Sequence, residues 1–129
     1  MFSVEMTVRD YECDVQGIVN NAVYLNYLQY ARHEYGKSAG LDWLALHDRG
    51  IDLVLSRAEL DFRRSLRPGD RFLVTASPGR KGRFRFFFEQ EILLLPERVQ
   101  AVRAVMHVAC IVDGRPAAPP ELEDWFGTG

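Results

Sequence analysis

At 129 residues the chain has material for one domain, and its 47% hydrophobic and 26% charged content is that of an ordinary globular protein. Basic and acidic residues number 16 and 18, a net charge of −2 that excludes a global basic footprint for nucleic acid or an anionic membrane. No apolar run approaches the roughly 18 residues of a membrane span, and the opening MFSVEMTVRD carries charge too early for a signal peptide. Cys13 and Cys110 stand in no metal-type or redox-type spacing. The expectation is a cytoplasmic protein with two reduced thiols, no nucleic-acid partner and no membrane contact.

Phe2 to Arg9 alternates as a first strand, with Val4, Met6 and Val8 on one face. DYECDVQGIV breaks that pattern, and Gly17 is free to take a tight or positive-φ turn. From Ala22 the period changes: Tyr24, Tyr27, Leu28, Ala31 and Tyr35 form the stripe of an amphipathic helix. Asn20 or Asn21 suits its N-cap, and Gly36 and Gly40 are its candidate terminators. A short second helix, DWLALHDRG, is predicted with Asp42 as cap and Gly50 as stop.

The remainder reads as strands. LSRAELDFRRS alternates with Ala58, Leu60 and Phe62 inward; LRPGD is a turn; RFLVTAS is a strand and PGRKG a connection. RFRFFFEQEILLL places Phe84, Phe86 and Phe88 on one face. RVQAVRAVMHVACIVDG is a long strand whose apolar face is Val102, Ala104, Met106, Val108, Cys110 and Val112. RPAAPPELEDWF ends the chain as a proline-rich turn with at most one helical turn. Strand, long helix and then several antiparallel strands predict one α+β domain over residues 1–129, its sheet wrapped around the helix. Uncovered edges of such a sheet predict self-association.

Asp14 draws the chemical argument. It lies in a loop just before a helix N-terminus, where unpaired amides and the helix dipole favour negative charge. Such amides stabilise an oxyanion while a nearby carboxylate attacks or activates water, which suits acyl transfer. A loop aspartate that only caps its own turn is the plainer alternative. Metal chemistry has no support, since His33, His47 and His107 lack ligand spacing. No serine sits in a Gly-x-Ser-x-Gly elbow.

YECDVQGIVNNAVYLNYLQYARHEY, Tyr11 to Tyr35, resembles the signature loop and helix of hotdog-fold thioesterases of the 4-hydroxybenzoyl-CoA thioesterase type. These carry an aromatic-x-x-Asp-x-x-Gly-(Ile/Val)-Val stretch before a long helix. The Asn-Asn-Ala-x-Tyr and Ala-Arg-His-Glu-Tyr segments are similar to those of plant plastid acyl-acyl carrier protein thioesterases and their bacterial relatives. The likeness runs from Glu5 to Pro116, dense up to Gly40 and pattern-level afterwards.

The resemblance implies a hotdog fold working as a homo-oligomer, a dimer or a tetramer, that hydrolyses an acyl-CoA or acyl-acyl carrier protein thioester. It implies Asp14 as nucleophile or general base, the Asn21 backbone amide as donor to the thioester carbonyl, and Gly17 as the turn between them. Arg80 and Lys81 match by position the basic residues that bind CoA phosphates in the 4-hydroxybenzoyl-CoA enzyme. No metal or redox cofactor is implied; CoA or phosphopantetheine enters only as part of the substrate. The chain departs from the family pattern twice: Asn21 replaces the histidine of many bacterial relatives, and Gln29 occupies the place of a catalytic glutamate in another hotdog branch.

Glu12 is a secondary acidic candidate, or a neighbour that acts on Asp14. Tyr24, Leu25, Leu28 and Phe62 are candidates for the acyl pocket, although core packing explains them equally. Arg63, Arg64 and Arg67 form a second basic set. Arg103 and His107 are expected to pair across subunits. The rival functions are a non-catalytic hotdog that binds an acyl chain or carrier protein, and a dehydratase, whose chemistry wants a histidine that the Asp14 loop lacks.

Overall fold

The structure is a computed structural model that describes residues 1–40 and 43–127. Strand β1 (Ser3–Thr7) leads through a single 3-10 turn (Asp10–Glu12) into the loop before α1 (Asn21–Ser38). A short α2 (Trp43–Asp48) follows, then β2 (Ile51–Phe62), β3 (Arg71–Thr75), β4 (Ser77–Lys81), β5 (Arg85–Leu94), β6 (Val99–Val112) and the two-residue β7 (Arg115–Pro116). A 3-10 turn (Pro120–Leu122) and α3 (Glu123–Phe126) complete the chain. The strands form one antiparallel sheet in the order β1-β3-β5-β6-β2, with β4 on β5 and β7 on β6. The expected α+β architecture, a curled antiparallel sheet packed on a long helix, is present.

The helix forms where the period changes. Asn20 caps it, its side-chain oxygen accepting from Ala22 N–H at 3.0 Å. Tyr24, Tyr27, Leu28 and Ala31 are buried as the stripe requires, and Tyr35 is half-buried. The helix runs through Gly36 to Ser38, and the positive φ of 88° falls at Gly40 just beyond. The stripe packs on Phe72, Val74, Phe86, Phe88 and Ile92 from the sheet and on Val102, Ala104, Met106 and Val108 of β6. The cap expected at Asp42 lies outside the described residues.

Three expectations change. PGRK is a strand, not a connection: β3 and β4 run consecutively along one edge of β5, separated by Ala76, and the turn moves to residues 82–84. Gly79 signals a close approach instead of a turn, because a Cβ there would meet the Phe87 ring at 2.3 Å. Phe84 therefore leaves the buried face of Phe86 and Phe88 and stands exposed in the turn. Lastly, Ala58 and Phe62 are exposed and Leu60 is half-buried, since β2 is an edge strand that one chain does not cover. No helix among the described residues is long and apolar enough to cross a membrane.

Candidate active site

Asp14 opens a tight turn. Asp14 N–H donates to Ile18 O at 2.9 Å, Gly17 N–H donates back to Asp14 O at 3.0 Å, and Cys13 bridges Val19 in antiparallel fashion. Gly17 has a φ of 76°, the left-handed conformation that makes glycine the residue of least strain there. One carboxylate oxygen of Asp14 accepts from Gln16 N–H at 2.9 Å, an Asx turn that fixes the side chain on its own loop. The half-buried Asp14 thus keeps its second oxygen available.

The turn delivers the chain directly to the helix start, and hydrogen bonding there is selective. Asn20 N–H donates to Glu12 O, Ala22 N–H to the Asn20 side chain, and Val23 N–H to Asn20 O. Asn21 N–H, between them, has no acceptor among the described residues. It is a free donor at the positive end of an 18-residue helix.

A small cavity of about 200 Å³ opens at this point, lined by Ile18, Val19, Asn21, Tyr24, Phe62, Arg63, Arg64 and Ser65. Leu66 holds the far wall in place. Its carbonyl accepts from Val19 N–H at 2.9 Å, and its own N–H donates to the Tyr24 hydroxyl at 3.1 Å. Burial raises the Tyr24 phenol, and the Leu66 N–H partly offsets that. Larger depressions lie between β1 and α1 and on the sheet's outer face, of about 580 and 620 Å³, but neither reaches the helix start. The smaller cavity is the one beside the free amide.

Of the other sequence candidates, Tyr24 and Phe62 meet at the cavity wall with ring centroids 5.4 Å apart. Leu28 is core and Leu25 is exposed. Arg80 is engaged away from the cavity. Its guanidinium lies 4.9 Å from the Phe86 ring and donates to Gly127 O at 2.8 Å and to Arg83 O at 2.9 Å. Lys81 is exposed on the border of the outer-face depression. Arg63 and Arg64, two of the second basic set read from the sequence, line the cavity itself. His107 pairs with Glu59 of its own chain at 2.7 Å. Among the described residues no three His, Cys, Asp or Glu side chains gather as a metal group.

Glu12 turns away from the role of a rival acid. It is 9% exposed, and its Oε1 accepts from Tyr27 Oη at 2.8 Å and from Arg9 N–H at 2.8 Å. Burial and then this bond raise the Tyr27 phenol well above its ordinary value. The helix stripe showed Tyr27 only as a core aromatic; its buried hydroxyl, which must find a partner, was the available signal. Cys13 is no rival nucleophile: desolvation, then Asp10, Asp14 and Glu12, push its thiol up and keep it protonated.

Residues 8–126 match the Thioesterase-like superfamily. Two chloroplastic acyl-acyl carrier protein thioesterases of Arabidopsis thaliana are similar in sequence. ATL3 is 40% identical over 101 residues, 78% of this chain and 53% of that protein. ATL2 is 39% identical over 127 residues, 96% of this chain and 67% of that protein. The chain therefore spans only about half to two thirds of these relatives. Among solved structures, a 1,4-dihydroxy-2-naphthoyl-CoA thioesterase from Synechocystis superposes with a TM-score of 0.86 at 26% identity, covering 96% of this chain and 91% of that one. A thioesterase from Thermus thermophilus, complexed with coenzyme A and Zn, gives 0.79 at 30% identity, covering 92% and 90%.

Proposed function

The chain belongs to the thioesterase-like superfamily, and from that premise we propose that it hydrolyses an acyl thioester to a free acid and a thiol. The observation that carries the reading is local: Asn21 N–H is an unengaged amide at the helix start among the described residues, and Asn21 lines a cavity. The turn opened by Asp14 reaches that cavity through Ile18 and Val19, with Asp14 itself outside the lining. The thioester carbonyl oxygen accepts from Asn21 N–H, which stabilises the negative charge that develops as the carbonyl carbon becomes tetrahedral.

Asp14 supplies the nucleophilic push. Its free oxygen either adds to the carbonyl carbon, expelling thiolate and leaving a mixed anhydride for water to open, or takes a proton from a water that adds instead. Both routes end in acid and thiol, and both use only groups of the chain and solvent. A single turnover in ¹⁸O-water separates them. Where water opens the anhydride at the aspartyl carbonyl carbon, the label enters Asp14 and the first acid is released unlabelled, whereas water adding directly to the thioester labels the acid at once.

The acyl group lies against Tyr24 and Phe62. Arg63 and Arg64 bring positive charge to the cavity mouth, where a pantetheine phosphate of coenzyme A or of a carrier protein would lie. Arg80 already spends its donors on Gly127 and Arg83, so a phosphate contact from β4 comes first from Lys81. The working unit is a homo-oligomer. Edge strand β2 exposes Val54 at 49%, Leu55 at 43% and Phe62 at 52%, apolar surface that a second copy would cover.

The test is thiol release from a panel of acyl-CoA and acyl-acyl carrier protein thioesters by wild type and Asp14→Ala. Loss of roughly 10²–10⁴ in turnover is expected, the span for a positioned acid-base group. Near-full hydrolysis by folded Asp14→Ala overturns the assignment. Binding without turnover in the wild type identifies a non-catalytic acyl-binding protein instead.

A further inference from the structure

Glu12 makes three connections that bear on Asp14, two residues away. Its backbone carbonyl accepts from Asn20 N–H at 3.0 Å, which joins the loop to the residue that caps α1. Its side chain accepts from Arg9 N–H, closing the 3-10 turn before the loop, and an Arg9 guanidinium nitrogen lies 3.6 Å from the other oxygen. It also accepts from the Tyr27 hydroxyl on the buried face of α1. Tyr27 is itself held by Phe72 of β3, with centroids 4.7 Å apart, and by Tyr24, 6.1 Å away in an edge contact. The loop carrying Asp14 is therefore clamped at both ends: by Glu12 to helix and sheet, and by the Val19–Leu66 bond.

We infer that Glu12 and Tyr27 are positioning residues for the hydrolytic site, holding the Asp14 turn in register with the Asn21 amide through one buried hydrogen bond. This rests on the proposed thioesterase reading. A bond deep in the core would stabilise any fold; what makes this one functional is its address. It joins the residue two before Asp14 to the residue six after Asn21, so it fixes the loop against the helix instead of packing two remote elements. Its loss lets the carboxylate move relative to the amide, and small misplacements of reacting groups have large kinetic cost. Neither side chain lines the cavity beside the Asn21 amide, so binding there should change little.

The experiment uses the full chain and the best thioester from the panel, with Tyr27→Phe, Glu12→Gln, Glu12→Ala and the double variant Glu12→Gln/Tyr27→Phe. Tyr27→Phe keeps the ring against Phe72 and remains folded even where Glu12→Ala does not. Expected is a fall in kcat of about tenfold for Tyr27→Phe and for Glu12→Ala, with KM within about twofold. Glu12→Gln, which retains an acceptor oxygen, should recover most of the Glu12→Ala loss. The double variant should be no worse than Tyr27→Phe, because both changes act on the same bond. Wild-type kcat per folded molecule in Tyr27→Phe and Glu12→Ala, with only the melting temperature lowered, overturns the inference. So does an effect confined to KM. Asp14→Ala runs in the same assay: if it is dead while the Tyr27 and Glu12 variants are fully active, only the positioning role fails. If it is active, the thioesterase reading fails and takes this inference with it.

Discussion

The Arg32 guanidinium and the Gln90 side-chain amide meet inside the core, Nη1 donating to Oε1 at 3.0 Å. Arg32 is 5% exposed, and its burial brings the guanidinium down to about 10. Gln90 spends both N–H donors of its side chain on Leu28 O and Thr75 O, at 3.1 and 3.0 Å, so one amide ties helix α1 to β5 and to the end of β3. This network lies within the layer of apolar side chains that the helix stripe supplies.

Removing one partner should therefore cost more than removing both. Gln90→Met leaves a buried cation without its acceptor, a loss of about 1.5–3 kcal/mol for a hydrogen bond to a charged group. Arg32→Met/Gln90→Met replaces both by apolar chains of similar length and should be more stable than Gln90→Met alone. Urea midpoints of the four proteins in the cycle measure the coupling. Simple addition of the two single losses would contradict the network.

The C-terminal residues act as a structural latch. Phe126 packs on Phe86 and Phe88, at centroid distances of 5.0 and 5.2 Å, and Arg80 secures the end of α3 by its bond to Gly127 O. Phe126→Ala should lower stability by about 3–5 kcal/mol, as large-to-small aromatic changes in a core do. Arg80→Met should also lower the melting temperature, by less. The same thermal melts check both, and an Arg80→Met protein as stable as wild type would remove the latch from its role.

Both features show where the sequence stopped being informative. The helix at Asn21–Ser38 was legible because its stripe of Tyr24, Tyr27, Leu28 and Ala31 repeats at the helical period and a capping asparagine precedes it. The alternating face of β6 was legible for the same reason. Arg32 and Gln90 were not, because a charged side chain at the margin of a stripe is ordinarily solvated, and its partner is 58 residues away. Gly79 misled: next to proline it signalled a turn, when what it supplied was space under Phe87. Around the candidate site, the turn at Asp14 to Gly17 and the helix start at Asn21 were legible since they lie within one short segment. Leu66 and the Arg63–Arg64 wall reach the helix start by tertiary folding, which no local pattern encodes.

His47 and Asp52 join the end of α2 to the start of β2 by a hydrogen bond. That bond, then the charge of Asp52, raises the imidazole above its ordinary value of 6.5. Because the folded value is the higher one, the pair's stabilisation is complete below the unfolded value and fades as pH rises through the folded one. The melting temperature of Asp52→Asn should therefore fall short of wild type near pH 6 and converge with it in mildly alkaline buffer. Nuclear magnetic resonance titration of His47 should show its midpoint dropping in the same variant. A gap that widened with pH would have the wrong sign for this pair.

The sharpest test of the helix-start donor removes a single hydrogen. Asn21 is the first helical residue, where proline is well tolerated because its missing N–H has no intrahelical partner. The preceding residue, Asn20, already has φ −62° and ψ 137°, the extended geometry that a following proline demands. Asn21→Pro should consequently fold with near wild-type stability, with the Asn20 cap still accepting from Ala22 N–H. If Asn21 N–H is the oxyanion donor, turnover falls by about 10²–10³, the cost of deleting one such donor. Asn21→Ala, which keeps the N–H and discards only the side chain, should retain most activity, which separates the backbone donor from the amide side chain. Equal losses in the two variants would move the function to the side chain, and full activity in Asn21→Pro would take the helix start out of the chemistry.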